Sequence, residues 1–481
     1  MKLSTIEPAI ALSPLDGRYR PQTAALVEYL SEAGLNRERV RVEIEWMILL
    51  TNGYQGNGFQ PVLKALTPLN EPEIAYLRGI VERFGSDAIE ELGQFEAQTH
   101  HDVKAVEYYI DDQLDRTQGQ FPTGSTLSKL KPLVHFGCTS EDINNLSYAR
   151  AVKAAVELIW LPRLGELVDQ LASMADRFRA LPLLAMTHGQ PATPTTLGKE
   201  LAVYVYRLRR QVKHLQAQEY LGKWNGATGT YAASLTALPG VDWVGLSRVF
   251  VEERMGLSFN PLTTQIESHD WQAEVYSTIA HTNRILHNLA VDMWMYISRG
   301  VFAQEPVKGA TGSSTMPHKV NPIRFENAEA NLEISCALLD SLASTLVESR
   351  WQRDLTDSST QRNIGSGLGH SLLALDNLLV GLQAVHPNTA AMAAELEGNW
   401  EVLGEPIQTA MRAAALAGKP GMDHPYEQVK ALMRGKTMTQ QDVEDFISSL
   451  ALDPASKERL AHLQPSTYTG AAEQLVDFDQ A

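Results

Sequence analysis

The chain has 481 residues, 44% hydrophobic and 20% charged, and its 41 Lys plus Arg against 57 Asp plus Glu leave a formal charge of −16. That length suffices for about three domains, while the acidic balance excludes a general nucleic-acid binder, which needs a basic face to neutralise phosphate. Cys138 and Cys336 alone build neither a disulfide framework nor a four-ligand zinc site, no stretch approaches 18 uninterrupted apolar residues, and Glu7 and Pro8 interrupt the opening run where a signal peptide needs its apolar core.

In chain order, turn chemistry divides the sequence into an N-terminal helical domain over 1–130, a central domain over 131–386 and a C-terminal helical domain over 387–481. Pro122, Gly124 and Pro132 mark the first boundary and His386-Pro387-Asn388 the second. The central domain carries the long helices. Ala151 to Arg179 has helical patterning, with a bend or break expected at Pro162. Leu201, Val205, Leu208, Val212 and Leu215 are spaced 4, 3, 4, 3. Similar stripes run from Trp271 to Tyr296, from Leu332 to Leu346 and from Leu368 to Leu382. Such spacing puts each set on one helix face, and its persistence predicts a mainly α fold built on a bundle of long near-parallel helices. Wide apolar arcs also predict association through that bundle. Lys419-Pro420-Gly421 and Asp423-His424-Pro425 punctuate the C-terminal helices.

The candidate chemistry lies in the connections. Gly309 to Pro322 reads GATGSSTMPHKVNP, a polar loop between apolar helices that faces solvent or a cavity. It lacks the Gly-Lys-Ser/Thr of a phosphate-binding P-loop. Other polar strings are Thr187-His-Gly-Gln-Pro, Cys138-Thr-Ser-Glu-Asp-Ile-Asn-Asn145, Asp16-Gly-Arg-Tyr19, His101-Asp-Val-Lys104, Thr264-Gln-Ile-Glu267 and Ser349-Arg-Trp-Gln-Arg-Asp-Leu-Thr-Asp-Ser358. Plain structural roles exist for several of these. Thr139 begins a Thr-x-x-Asp capping pattern, Glu326 suits the start of a helix dipole, His101 and Asp102 could pair at the surface, and Arg350 and Arg353 could pair with Asp354 and Asp357.

The loop from Gly309 closely resembles the GSSxMPxKxNP signature of the fumarase/aspartase lyase superfamily. All the strings together resemble its adenylosuccinate lyase family, bacterial type, over nearly the whole chain. Two departures are His100, where Asn is expected, and Ser268, where Pro is expected. The resemblance implies anti β-elimination of fumarate from adenylosuccinate, giving AMP, and from the succinylated carboxamide ribotide, giving AICAR. It implies Ser313 as base, ionised by the positive potential of Lys319 and loop N–H groups, His188 as general acid, and Glu326 as the carboxylate that orients and charges a catalytic histidine. Arg18, Tyr19, Arg353, Ser358 and Arg362 are implied around the nucleotide, and Thr139, Ser140, Lys319 and Asn321 at the succinyl end. Ser314, Gln265, Asn327, His100, His101 and Asp102 are implied to line the same pocket. With the protein at −16, Arg18, Lys319, Arg353 and Arg362 are the expected local basic cluster for an anionic substrate.

The resemblance further implies a homotetramer with shared active sites and a tetrameric helical core. The isolated cysteines fit a reducing cytoplasm and, with His100-His101-Asp102 only a weak ligand cluster, lead us to expect no metal or organic cofactor; charge and hydropathy likewise point to no nucleic-acid or membrane partner. A sibling lyase acting on argininosuccinate or malate is the nearest alternative. A Ser–Lys amidohydrolase using Ser313 or Ser314 with Lys319 leaves His188 unexplained, and a non-catalytic structural role leaves Ser313, Lys319, Asn321, His188 and Glu326 without purpose.

Overall fold

The computed structural model describes residues 12–54, 56, 58–121, 125–305, 316 and 318–477. Among them the fold is mainly α, with strands of only two or three residues. The N-terminal helices are α1 (Arg20–Leu30), α2 (Glu32–Asn52), α3 (Glu71–Glu82), α4 (Ser86–Thr99) and α5 (Asp102–Asp115). There follow α6 (Ser140–Ala155), α7 (Leu161–Arg177), α8 (Leu197–Gln216), the short α9 (Ala232–Ala237) and α10 (Trp243–Val249), then α11 (Asp270–Ser298) and α12 (Ile323–Leu346). After α13 (Thr356–Gln361) and α14 (Ile364–Gln383), five helices close the chain: α15 (Thr389–Glu397), α16 (Gly404–Leu416), α17 (Pro425–Met433), α18 (Gln440–Ser449) and α19 (Pro454–Ala461). The 3–4 stripes sit as expected. Val275, Ile279, Leu286, Leu289 and Met293 of α11 are all buried, as are Leu368, Leu372, Leu375, Leu379 and Leu382 of α14. No helix among the described residues is long and apolar enough to cross a membrane.

The chain forms two compact units. The first comprises Met1–Leu164, Gln211–Arg284 and Ala330–Asp376, and the second Gly165–Arg210, Ile285–Glu329 and Asn377–Ala481. Helices α7, α8, α11, α12 and α14 contribute residues to both.

In the first unit, α2 buries 14 of its 21 residues, so it is enclosed on all sides and not merely on one stripe. Val40, Ile44, Met47 and Ile48 join Leu77 and Ile80 of α3, Val106 and Ile110 of α5, and Leu127, Leu130 and Leu133 in one apolar cluster. Each such aliphatic chain contributes about 1.5–3 kcal/mol when fully buried. Ser31 caps α2 by accepting from Gly34 N at 3.0 Å, and Asn70 and Glu73 form a reciprocal capping box on α3. Enclosing α2 also buries Glu38, Arg39 and Glu43, and each must find a partner.

A buried polar chain fixes the bundle helices of this unit. Trp160 Nε1 donates to Ser371 Oγ at 2.8 Å, Ser371 Oγ to Asn283 Oδ1 at 2.7 Å, Asn283 Nδ2 to Ser335 Oγ at 3.0 Å, and Ser335 Oγ to Gly367 O at 2.7 Å. These four side chains belong to different helical segments and are all fully buried. Pro162 does not break the helix. Val156–Trp160 forms a π-helical turn leading directly into α7, with Pro162 the second residue of that helix. There the missing N–H falls where the hydrogen-bond ladder is already interrupted.

In the second unit, Trp400, Leu403, Ile407 and Met411 pack with Val429, Met433, Val443, Ile447 and Leu460 in a C-terminal cluster. Phe302–Gln304 pairs antiparallel with Val385–Pro387, so the expected turn at His386-Pro387 is partly strand. Pro182–Leu183 pairs with Thr195–Thr196, and Met186–Thr187 with Gln190–Pro191.

Candidate active site

Thr139 is the N-cap of α6, and its N–H donates to Asp142 Oδ2 at 2.8 Å. Asp142 is wholly committed to structure: it also pairs with Lys223 Nζ at 2.8 Å and accepts from Asn225 N at 3.0 Å. Asn145 makes the second stitch, accepting from Lys223 N at 2.8 Å and donating back to Lys223 O at 3.1 Å. Thr139 and Ser140 are thereby held at a helix N-terminus, whose backbone dipoles favour a carboxylate.

From this turn a hydrogen-bonded chain runs through the first unit. Arg39, 3% exposed on α2, donates from Nη1 to Asn36 Oδ1 at 2.8 Å, from Nη2 to Asp102 Oδ2 at 2.8 Å, and from Nε to Asn144 Oδ1 at 2.9 Å. Asn144 Nδ2 donates to Glu141 Oε1 at 2.7 Å, and Arg353 Nη2 pairs with the same oxygen at 2.8 Å. Arg353 Nη1 reaches Gln265 Oε1 at 3.3 Å, and Gln265 Nε2 donates to Ala227 O at 2.9 Å. Asp102, Arg353 and Gln265, three of the implied pocket residues, are thus linked through Arg39, Asn144 and Glu141.

Arg362 joins the Asp102 end, with Nη2 at 3.6 Å from Asp102 Oδ2 and Nη1 at 3.3 Å from Glu32. Burial raises the Asp102 carboxyl pKa, but the charge and hydrogen bond of Arg39 and the Val103 N–H outweigh it, so the net shift is downward. His101 caps α5, its Nδ1 accepting from Lys104 N at 3.2 Å, which leaves the ring proton on Nε2. The His100 departure has a backbone reason. That residue ends α4 in the left-handed conformation, φ 52°, where both Asn and His are over-represented.

Gln265 and Arg353 line an open groove of about 870 Å3 with Ala227, Thr228 and the segment from Ser349 to Asp354. Arg362 and Arg39 line a smaller cavity of about 180 Å3 with Tyr29, Ser31 and Tyr148. Tyr19 is the N-cap residue of α1, with the Arg18 guanidinium 5.9 Å from its ring centroid. Ser358 lies in α13, its N–H donating to Asp357 Oδ1 at 2.6 Å. Of the expected basic cluster, Arg353 and Arg362 carry carboxylate partners, whereas Arg18 and Lys319 are exposed.

In the second unit, His188 and Gly189 are the two central residues of the hairpin between Met186–Thr187 and Gln190–Pro191, with φ of 54° and 72°. Two successive positive φ values are what a tight type I′ hairpin turn requires, and they leave the His188 side chain exposed at its tip. Lys319 N donates to Met316 O at 3.1 Å, and Gln304 Nε2 tethers the next residue through Val320 O at 2.9 Å. Asn321 precedes Pro322 at the entry to α12. Glu326, in the first turn of α12, accepts from Trp294 Nε1 at 3.2 Å, and Asn327 Oδ1 accepts from Asn377 Nδ2 at 2.9 Å. Ser313 and Ser314 lie outside the described residues.

Arg39, Glu141 and Asn144 are not among the residues singled out by sequence, although Glu141 and Asn144 fall inside the Cys138–Asn145 string. Neither is the pair of His135 and Glu43, in which Glu43 accepts from His135 N at 2.9 Å and contacts His135 Nδ1 at 2.7 Å. Burial lowers the His135 pKa, but the hydrogen bond and charge of Glu43, with Glu107 nearby, raise it overall.

A family profile described as "Lyase" matches residues 17–334, and one described as "Adenylosuccinate lyase C-terminal" matches 349–469. The chain is 43% identical over 477 residues to the adenylosuccinate lyases of Haemophilus influenzae and of Escherichia coli K12, covering 99% of each partner. It is 41% identical over 466 residues to that of Legionella pneumophila strain Philadelphia 1, covering 97% of this chain and 98% of the relative. Among solved structures it resembles a fumarate lyase from Mesorhizobium (TM-score 0.72, 18% identity, 94% of this chain and 96% of the other) and the 3-carboxy-cis,cis-muconate lactonizing enzyme of Pseudomonas putida (TM-score 0.69, 21% identity, 94% and 95%). Those two likenesses concern the fold alone. Matched from the first helices to the last and at such identity over its whole length, the chain is an enzyme of the adenylosuccinate lyase family.

Proposed function

We propose that the protein cleaves adenylosuccinate to AMP and fumarate, and the succinylated carboxamide ribotide to AICAR and fumarate, in purine nucleotide biosynthesis. The carrying observation is the 43% identity over 99% of the chain and of its relatives. The reaction is an anti β-elimination. Ser313 takes the proton from the carbon next to a carboxylate, the C–N bond breaks, and His188 delivers a proton to the departing nitrogen. Lys319 and loop N–H groups supply the positive potential that ionises Ser313, Lys319 also holds the succinyl end, and Glu326 orients and charges a catalytic histidine. Thr139, Ser140 and Asn321 bind the succinyl end. Arg18, Tyr19, Arg353, Ser358 and Arg362 bind the nucleotide, and Ser314, Gln265, Asn327, His100, His101 and Asp102 complete the lining.

The working form in this reading is a cytoplasmic homotetramer in which residues of different copies complete each site. The exposed apolar side chains of Val203, Tyr206, Trp294, Met295 and Ile323 on α8, α11 and α12 support association. The three-domain division at about 130 and 386 belongs to the same reading. The test is absorbance-monitored cleavage of adenylosuccinate beside argininosuccinate and malate. Turnover confined to adenylosuccinate supports the assignment, and turnover confined to either of the others overturns it.

A further inference from the structure

We propose that Arg39 is a positioning residue of this site, acting through Asp102 to keep Arg362 available to an anionic ligand; the inference rests on the nucleotide reading above. Asp102 Oδ2 lies between two guanidinium groups, 2.8 Å from Arg39 Nη2 and 3.6 Å from Arg362 Nη2. The two contacts are not equivalent. Arg39 is 4% exposed in its side chain and Arg362 is 53% exposed. The buried guanidinium makes three directed hydrogen bonds, to Asn36, Asp102 and Asn144, so its fork is locked, whereas Arg362 is free to reorient toward solvent. Around Asp102 the balance is two cations against one carboxylate, because Glu32, the other partner of Arg362, is 71% exposed and its attraction is screened. Arg39 therefore neutralises Asp102, and the charge of Arg362 remains unspent. Without Arg39, Asp102 would draw Arg362 inward as its only guanidinium partner. The groups facing Asp102 are the guanidiniums of Arg39 from α2 and Arg362 from beyond α13, and the neighbouring imidazole of His101, whose Nδ1 is 3.7 Å from Oδ1.

The same fork also connects to Arg353, which lines the open groove. The Arg39 Nε bond to Asn144 holds the amide that donates to Glu141, the carboxylate on which Arg353 rests. One buried side chain of α2, touching no ligand, thus sets the orientation of two arginines far apart in sequence.

The experiment measures fumarate release from adenylosuccinate by wild type, Arg39→Met, Arg39→Lys, Asp102→Asn and the Arg39→Met/Asp102→Asn double variant, after circular dichroism and sedimentation show that each folds and assembles as wild type does. Arg39→Met is expected to raise KM tenfold or more with a smaller change in kcat, and Arg39→Lys, which keeps the charge without the fork, to fall between. The double variant is expected to have a KM no higher than Asp102→Asn alone, because Arg39 acts through that carboxylate. Arg39→Met with wild-type KM, or effects of the two substitutions that multiply in the double variant, would overturn the proposal. If Arg39→Met does not fold, the comparison of Arg39→Lys with its Asp102→Asn double decides by the same criterion. Wild type that leaves adenylosuccinate uncleaved overturns the functional reading instead, so the two failures are distinguishable.

Discussion

Lys223 Nζ and Asp142 Oδ1 meet at 2.8 Å with neither side chain more than 1% exposed. A charge pair so far from water gains stability only if every remaining lone pair and proton is used. Here Asp142 also takes N–H groups from Thr139, Asn225 and Gly226, while Lys223 Nζ donates to Gly226 O. The pair clamps the start of α6, which carries Thr139 and Ser140, to the segment that leads to Ala227 and Thr228 in the groove.

Removing one partner strands the other. Lys223→Met and Asp142→Leu should each destabilise the protein by about 3–5 kcal/mol, read as a lower melting temperature at fixed protein concentration. A melting temperature within a degree or so of wild type for either variant would show that water reaches the pair.

Asn283 holds the centre of the bundle's polar chain. Asn283→Leu leaves Ser371 without its acceptor and Ser335 without its donor, at about 1–3 kcal/mol for each orphaned group. Thermal unfolding of Asn283→Leu beside Asn283→Asp checks this; the first should be clearly destabilised even though leucine is the more apolar residue.

His135 makes stability depend on pH in a definite sense. Its folded-state pKa lies above the ordinary 6.5, so the imidazolium–Glu43 pair contributes fully below that ordinary value. The contribution is lost as pH rises through the folded value. Melting temperature should therefore fall between about pH 6 and pH 9 more steeply in wild type than in His135→Gln. Parallel profiles would refute the link.

The hairpin at His188 separates chemistry from conformation. His188→Gln should lower fumarate release by about 10²–10⁴-fold, the ordinary contribution of a positioned acid, with the melting temperature unchanged. At Gly189 a Cβ meets nothing within 4 Å, so Gly189→Ala is opposed only by the left-handed φ of 72°, at roughly 1–2 kcal/mol. Activity of Gly189→Ala should fall between wild type and His188→Gln, measured by the same absorbance assay.

Where side chains repeat with helical spacing, the architecture was legible: Trp271 to Tyr296 foretells α11 to within two residues at each end. Thr139 as a cap was legible as well, because Thr-x-x-Asp encodes a local geometry. Arg39 was not, since in the run Arg37-Glu38-Arg39-Val40-Arg41 it is indistinguishable by type from Arg41, which stays partly exposed. Only the enclosure of α2 by neighbours distant in sequence turns one of these arginines into a buried fork. The left-handed backbone of His100, His135 and His188 was equally hidden, because histidine carries no obligatory φ.

The π turn at Val156–Trp160 has a consequence for how the chain tolerates length changes. An α-helix advances about 100° per residue, and one widened turn accommodates a single extra residue without lengthening the ladder. Upstream of it, Asn144 faces the Arg39 fork; Trp160, its last residue, faces Ser371. Winding the same residues as a regular α-helix would rotate those two azimuths relative to each other by roughly a quarter turn, leaving either the amide or the indole pointing at nothing, whereas excising one residue from this stretch would restore regular winding with both still on their partners.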